Sequence, residues 1–178
     1  MKGVVFNVVQ EVVEDQLGAD AWDDAIDRSG VDGSYTSLGN YPDTDLHRLA
    51  DAVGELAHMS QHDVLVFSGR HGFRHLAARH PDLVGAFAGW RDVVNHLDDI
   101  IHPEVEKIYA AADTPTFTVE DTVDSSLTMV YQSKRQLCAL AEGLVLGLGD
   151  WFEVGLVVSH VECVHEGGDR CVLEVAET

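Results

Sequence analysis

Apolar and polar positions divide the chain into a helical half and a mixed half. Through residues 21–28, 44–59 and 61–80 apolar side chains recur at intervals of three and four, the spacing of one face of an α-helix. Gly30 follows the first stretch, Pro42 precedes the second and Pro81 closes the third, as helix start and stop signals do. Val5, Val8, Val9, Val12 and Val13 make an earlier stripe whose period is helical, although so many β-branched residues also suit a strand. Residues 83–88 and 91–111 continue the helical texture. Pro103 sits inside the second of these, so a kink or a fresh helix start is expected near His102, because proline lacks a backbone donor and is tolerated only in a first turn.

After Pro115 the texture changes. Residues 116–123 and 126–133 are rich in Thr, Val and Phe with Asp124 and Ser125 between them, a hairpin signal. A helical stretch returns over 137–148, with Gly149 and Asp150 marking its end. Residues 154–164 and 171–175 form a second strand pair about the turn Glu166, Gly167, Gly168, Asp169. The expectation is one α+β domain over 1–178: a helical N-terminal half, then a four-stranded antiparallel sheet with a helix.

Composition narrows the partners. The 178 residues carry 31 acidic against 11 basic side chains, a formal net charge of −20, while apolar residues make up 46%. That apolar content supports a packed core, and the charge repels nucleic acid and anionic lipid surfaces. No basic leader or span-length apolar run is seen, so a cytoplasmic location without membrane insertion is expected.

Tyr131, Ser133 and Arg135 alternate along the second expected strand, which would place a phenol, a hydroxyl and a guanidinium on one face. Such donors suit an anion with several oxygens, a carboxylate or a phosphate; a solvated polar stripe is the alternative. His102 follows the apolar pair Ile100 and Ile101, as an axial haem ligand or a satisfied core histidine would.

Taken together with Met1, Lys2, Gly3, Asn7, Glu11 and Pro115, His102 and the Tyr131-Gln132-Ser133-Lys134-Arg135 run give the whole chain a close resemblance to the H-NOX family of haem nitric oxide and oxygen binding domains. The resemblance implies haem b between the two halves of the fold, His102 as proximal iron ligand and Tyr131, Ser133 and Arg135 as the propionate clamp. It also matches Pro115 to a proline that presses on the porphyrin. In oxygen-binding members a distal tyrosine occupies the position of Leu140; with Leu144, Val5 and Val9 extending an apolar wall, nitric oxide and carbon monoxide are expected to bind and oxygen is not. The output would go to a separate protein such as a histidine kinase, a diguanylate cyclase or a chemotaxis receptor, since the 178 residues hold no kinase or cyclase sequence.

Cys163 and Cys171 flank the last turn and should face each other, as a disulfide or as metal ligands. Cys138 and the nearby His160 complete a Cys3His set suited to tetrahedral zinc, but His160 and Cys163 point to opposite faces of a regular strand and need a bulge to converge. Some H-NOX members resemble this chain at all four positions, which favours zinc and raises a second reading, a thiol-based redox sensor on the same fold. A peroxidase-like enzyme ranks last, because Leu140 and its neighbours supply no distal acid or base.

Overall fold

The computed structural model describes residues 1–121 and 126–178, so the turn expected at Asp124 and Ser125 lies outside the described residues. The valine-rich start forms a helix, α1 (Gly3–Leu17). Val4, Val8, Val9, Val12 and Val13 are buried along one side of it, so tertiary burial outweighs the modest helix penalty of β-branched residues. The other early helices are α2 (Ala19–Ser29), α3 (Asp43–Ala57) and α4 (Gln61–Arg79). Ser60 caps α4 by accepting the Asp63 N–H, the arrangement that satisfies an otherwise orphan donor.

Two breaks within the helical half differ from expectation. Pro81 opens the short helix α5 (Pro81–Gly85) rather than merely closing α4, because its missing N–H costs nothing in a first turn. The stretch 91–111 is also not one helix. It divides into α6 (Trp90–Asn95), a π-helical turn (Leu97–Ile101) and α7 (His102–Ile108), with Pro103 in the first turn of α7. Ile101 and His102 donate to carbonyls five residues back, at His96 and Leu97, so the widened turn absorbs the break that Pro103 imposes.

The sheet contains β1 (Thr116–Asp121), β2 (Leu127–Gln132), β3 (Leu156–Glu162) and β4 (Cys171–Glu177), all antiparallel in the order β1-β2-β4-β3. Helix α8 (Cys138–Trp151) lies between β2 and β3 in sequence and runs through the expected stop at Gly149 and Asp150. Gly149 is fully buried there with Leu156 against it, so a small residue is held in the helix by packing.

Helix α8 joins the two halves. Leu137 and Ala139 belong to the N-terminal core with Phe6, Leu46 and Leu49, whereas Val145 and Leu148 pack with Leu127, Met129 and Leu173 of the sheet. Its approach to α4 requires glycine: a Cβ on Gly143 would lie 2.1 Å from the Val66 carbonyl oxygen, and one on Gly69 would lie 2.5 Å from that of Leu140. The backbones therefore touch where α4 and α8 cross, and this fixes the side chains that α8 presents on either side.

Candidate functional site

His102 sits at the join between the π-turn and α7, with 15% of its side chain exposed. Its Nδ1 lies 3.0 Å from Asp98 Oδ1, one helical turn back. The other oxygen, Oδ2, accepts the Phe117 N–H at 2.7 Å, so one carboxylate ties the imidazole, the π-turn and the start of β1 together. Nδ1 engaged in this way leaves Nε2 as the ring's outward nitrogen, and among the described residues no hydrogen-bond partner meets it. The segment around it is apolar yet poorly covered: Leu97, Ile100, Ile101, Val105 and Ile108 lie on the π-turn and α7, and none is buried.

A ladder of rings links this histidine to the expected anion clamp. His102 lies 5.9 Å from Phe117, and Phe117 lies 5.5 Å from Tyr131, its cross-strand partner. Tyr131 is buried, and its hydroxyl accepts the Leu137 N–H at 3.0 Å at the entry to α8. Burial pushes this phenol's pKa up, and hydrogen bonds from Ser133 and Leu137 partly offset the rise. Tyr131 therefore keeps its proton and remains a donor.

Ser133 and Arg135 do not share a strand face with Tyr131 by alternation, because β2 ends at Gln132. They lie in the turn that follows, where Ser133 Oγ accepts the Arg135 N–H at 3.2 Å and Gln136 adopts a left-handed φ of 52°. Arg135 reaches back to bond Asp43 at 3.0 Å and Asp113 at 3.1 Å. Asp43 also receives the Met1 ammonium at 2.7 Å. Burial works against its charged form, but the bonds from Met1 and Arg135 outweigh it and hold this carboxyl below the usual aspartate range. The guanidinium thus already serves as a carboxylate receptor. Pro115 stands half-buried immediately before β1.

Val5 and Leu140 pack against the N-terminal core with Val66, Val9 is buried, and Leu144 is half-buried one turn along α8 from Leu140. All four side chains are aliphatic and none offers a hydrogen-bond donor.

These residues fit a haem on three counts: an imidazole oriented by a carboxylate with its other nitrogen unpartnered among the described residues, an apolar helix without full cover, and two hydroxyls and a guanidinium suited to propionates. Sequence reasoning missed Asp98, although its i, i+4 spacing to His102 was a legible signal. Asp43 and Asp113 were missed as well, and their distance along the chain from Arg135 left no signal.

The three cysteines converge. Cys138 Sγ is 3.8 Å from Cys163 Sγ, which is 3.9 Å from Cys171 Sγ, and all three are free and buried. Burial, then the neighbouring sulfurs, push the Cys138 thiol far up, so an uncompensated thiolate is disfavoured there. The bulge that His160 required is present between His160 and Glu162. Even so, His160 does not join the sulfurs: its Nε2 lies 2.9 Å from Glu142 Oε2, near His62, in a separate group. His71 and His75, four residues apart on α4, also diverge. His75 faces Glu11 and Asp15, whereas His71 lies against Phe67. Among the described residues no helix is long and apolar enough to cross a membrane.

The fold has close counterparts. A family model described as Haem-NO-binding matches residues 2–160. The H-NOX protein from S. oneidensis in the Fe(II)NO ligation state is 31% identical, with 100% of this chain and 99% of that chain covered and a TM-score of 0.92. The Shewanella oneidensis H-NOX domain in the Fe(II)CO ligation state gives 31% identity, 100% and 99% coverage and a TM-score of 0.89. The unliganded Fe(II) H-NOX protein from K. algicida gives 27% identity, 100% and 97% coverage and 0.84. A comparison with curated proteins found no match. With nearly the whole chain matched in sequence and the whole chain matched in fold, this chain belongs to the H-NOX, or Haem-NO-binding, family of haem-based gas-sensing domains.

Proposed function

We propose that this domain holds haem b through His102 and uses it to sense nitric oxide, with carbon monoxide also bound and oxygen not, as a sensor rather than an enzyme. The observation that carries the reading is the His102 imidazole, fixed at Nδ1 by Asp98 and, among the described residues, unpartnered at Nε2. Bound haem supplies the iron coordination position at which a diatomic gas ligates. His102 would hold the iron, Tyr131 and Ser133 would donate hydroxyls to the propionates, and Arg135 would exchange Asp43 or Asp113 for a propionate carboxylate. Pro115 serves as the rigid contact against the porphyrin face.

Leu140, Leu144, Val5 and Val9 would line the gas-binding side and, being aliphatic, would offer no hydrogen bond. Bound oxygen needs such a bond to offset its charge separation, and nitric oxide does not. Displacement of His102 would travel along α7, a short helix with no buried residue that begins at a π-turn, and so one of the least restrained elements of the fold. The changed surface would be read by a separate cytoplasmic signalling protein, a histidine kinase, a diguanylate cyclase or a chemotaxis receptor. The test of selectivity is spectroscopic. Reduced protein should give distinct spectra with nitric oxide and with carbon monoxide and should stay in its unliganded form when first mixed with oxygen; a stable oxygen adduct would overturn the selectivity.

A second reading is supported by the thiols. Sulfurs around a tetrahedral zinc at about 2.3 Å lie about 3.8 Å apart, close to the spacings of 3.8 and 3.9 Å found among Cys138, Cys163 and Cys171. The three would hold zinc as thiolates, with His160 as fourth ligand only if it leaves Glu142. Peroxide, itself reduced to water, would join two of the sulfurs as a disulfide and release the ion. Metal analysis and thiol titration before and after mild peroxide test this: zinc retained after oxidation removes the redox reading.

A further inference from the structure

Helix α7 is held at two points. At its start His102 and Asp98 tie it to the π-turn and to β1. At its end stands Tyr109, whose side chain is buried although α7 itself contributes no buried residue. Among residues 95–120 Tyr109 alone is buried. Its hydroxyl lies 2.8 Å from His80 Nε2, with the two rings edge to face at 5.6 Å. His102 and Tyr109 are seven residues apart, two helical turns, so they fall on one face of α7 with about 10 Å of helix between them. The Tyr109 N–H still donates to the Val105 carbonyl at 2.8 Å, so the phenol belongs to the helical ladder and moves with it. Beyond Tyr109 the chain turns, the Ala112 N–H bonding back to the Tyr109 carbonyl.

His80 is by contrast a rigid post at the junction of α4 and α5. Its N–H is shared by the Leu76 and Ala77 carbonyls, its own carbonyl accepts the Leu83 N–H at 3.0 Å, and Pro81 restricts its backbone from the next position. Arg79 beside it bonds Glu11 of α1 and the His75 carbonyl, so the post is tied to the N-terminal helices. Burial holds the Tyr109 phenol's pKa up, against the charge of Arg79. The hydroxyl therefore keeps its proton and donates to Nε2 of a neutral His80. A charged His80 would donate to the same oxygen, so the bond persists in either state.

We propose that the Tyr109–His80 pair anchors the far end of α7, making both of them positioning residues that set how readily His102 is displaced. With this end held, movement of His102 turns α7 about Tyr109. With the hydroxyl bond lost, the whole helix yields, because no residue between the two ends is buried. The control of His102 rests on the reading of His102 as iron ligand, whereas the anchor itself does not.

The experiment compares the full chain, supplied with haem, as wild type, Tyr109→Phe, His80→Leu and His80→Gln. Tyr109→Phe keeps the ring and removes only the hydroxyl, and glutamine returns a donor and an acceptor near the place of Nε2. In Tyr109→Phe the amides of residues 105–112 should exchange with deuterium roughly 2- to 12-fold faster, the equilibrium equivalent of one net hydrogen bond, while those of α3 stay unchanged. On adding nitric oxide, stopped-flow absorption should show His102 released from the iron faster by a factor in the same range. His80→Leu should match Tyr109→Phe, His80→Gln should stay near wild type, and the double variant Tyr109→Phe/His80→Leu should be no faster than either single one. Exchange that is unchanged in Tyr109→Phe, or raised equally in α3, overturns the anchor. Because exchange needs no gas or Soret band, it judges the anchor even if the haem reading fails. Faster exchange with unchanged release of His102 overturns the control of His102, and multiplying effects in the double variant overturn the pairing.

Discussion

Asp98 offers the sharpest test of how the fold prepares His102. Both of its partners are donors: the imidazole Nδ1–H at 3.0 Å and the Phe117 backbone N–H at 2.7 Å. The carboxylate supplies two acceptor oxygens for them, whereas asparagine supplies one and turns an N–H toward the other donor. Asp98→Asn therefore breaks one bond whichever way the amide faces. Hydrogen bonds to a charged group contribute about 1.5–3 kcal/mol, so the haem-free fold should lose an amount in that range when Phe117 is the donor left unpaired. When the amide instead settles on Phe117, His102 loses its orientation and part of its basicity, which for outer-shell partners of a metal ligand costs roughly 10–100-fold in affinity. Urea denaturation of the haem-free chain reads the first loss. Transfer of haem to an apo-globin acceptor and the iron–histidine stretching frequency read the second. Unchanged stability together with unchanged haem transfer and stretching frequency would refute the assignment of Asp98 as the positioning residue.

Three other outcomes follow from the same geometry. Arg135→Ala removes ion pairs to partly exposed Asp43 and Asp113, each contributing about 0–1 kcal/mol, so haem-free stability should barely change while haem is retained more weakly; equal retention would exclude Arg135 from the clamp. Gly143→Ala drives a Cβ to 2.1 Å from the Val66 carbonyl oxygen and should cost about 1–3 kcal/mol in urea denaturation, and a neutral result would mean α4 and α8 can separate freely. Among the described residues the Tyr35 hydroxyl is buried without a well-formed hydrogen-bond partner, so Tyr35→Phe should stabilise the chain by about 1 kcal/mol. Burial, then the charges of Asp45 and Asp32, push Tyr35 from 10.0 up to about 12. The unfolded chain therefore loses this proton first. Stability from Tyr35 holds below pH 10 and declines as pH rises from there toward 12, and Tyr35→Phe should flatten that decline.

Burial patterns were legible in the sequence because they depend on local period, and the two strand pairs followed from turn chemistry, whereas the β2–β4 pairing that joins them is a contact across the fold. What escaped was set by contacts across the fold. The valine stripe of α1 could not declare itself helix or strand until Phe6 and its neighbours met α3 and α4, and Gly149 reads as a stop only without Leu156 packed on it. At the candidate site, His102 lies at the helix start that Pro103 announced, and Phe117 links its ring to that of Tyr131 on β2. Ser133 and Arg135 are placed by a turn rather than by the strand alternation that the sequence suggested, since β2 ends at Gln132. The sulfurs converged as the hairpin implied, whereas His160 was drawn to Glu142, a partner on another element with no regular spacing to announce it.

The central claim is that His102 carries the haem. Reduced, haem-supplied protein should show a Soret band that shifts on adding nitric oxide, and His102→Ala should lose the haem or show an altered reduced spectrum that free imidazole restores. Wild-type protein with no Soret band when haem is supplied, or a His102→Ala spectrum identical to wild type, would contradict the account.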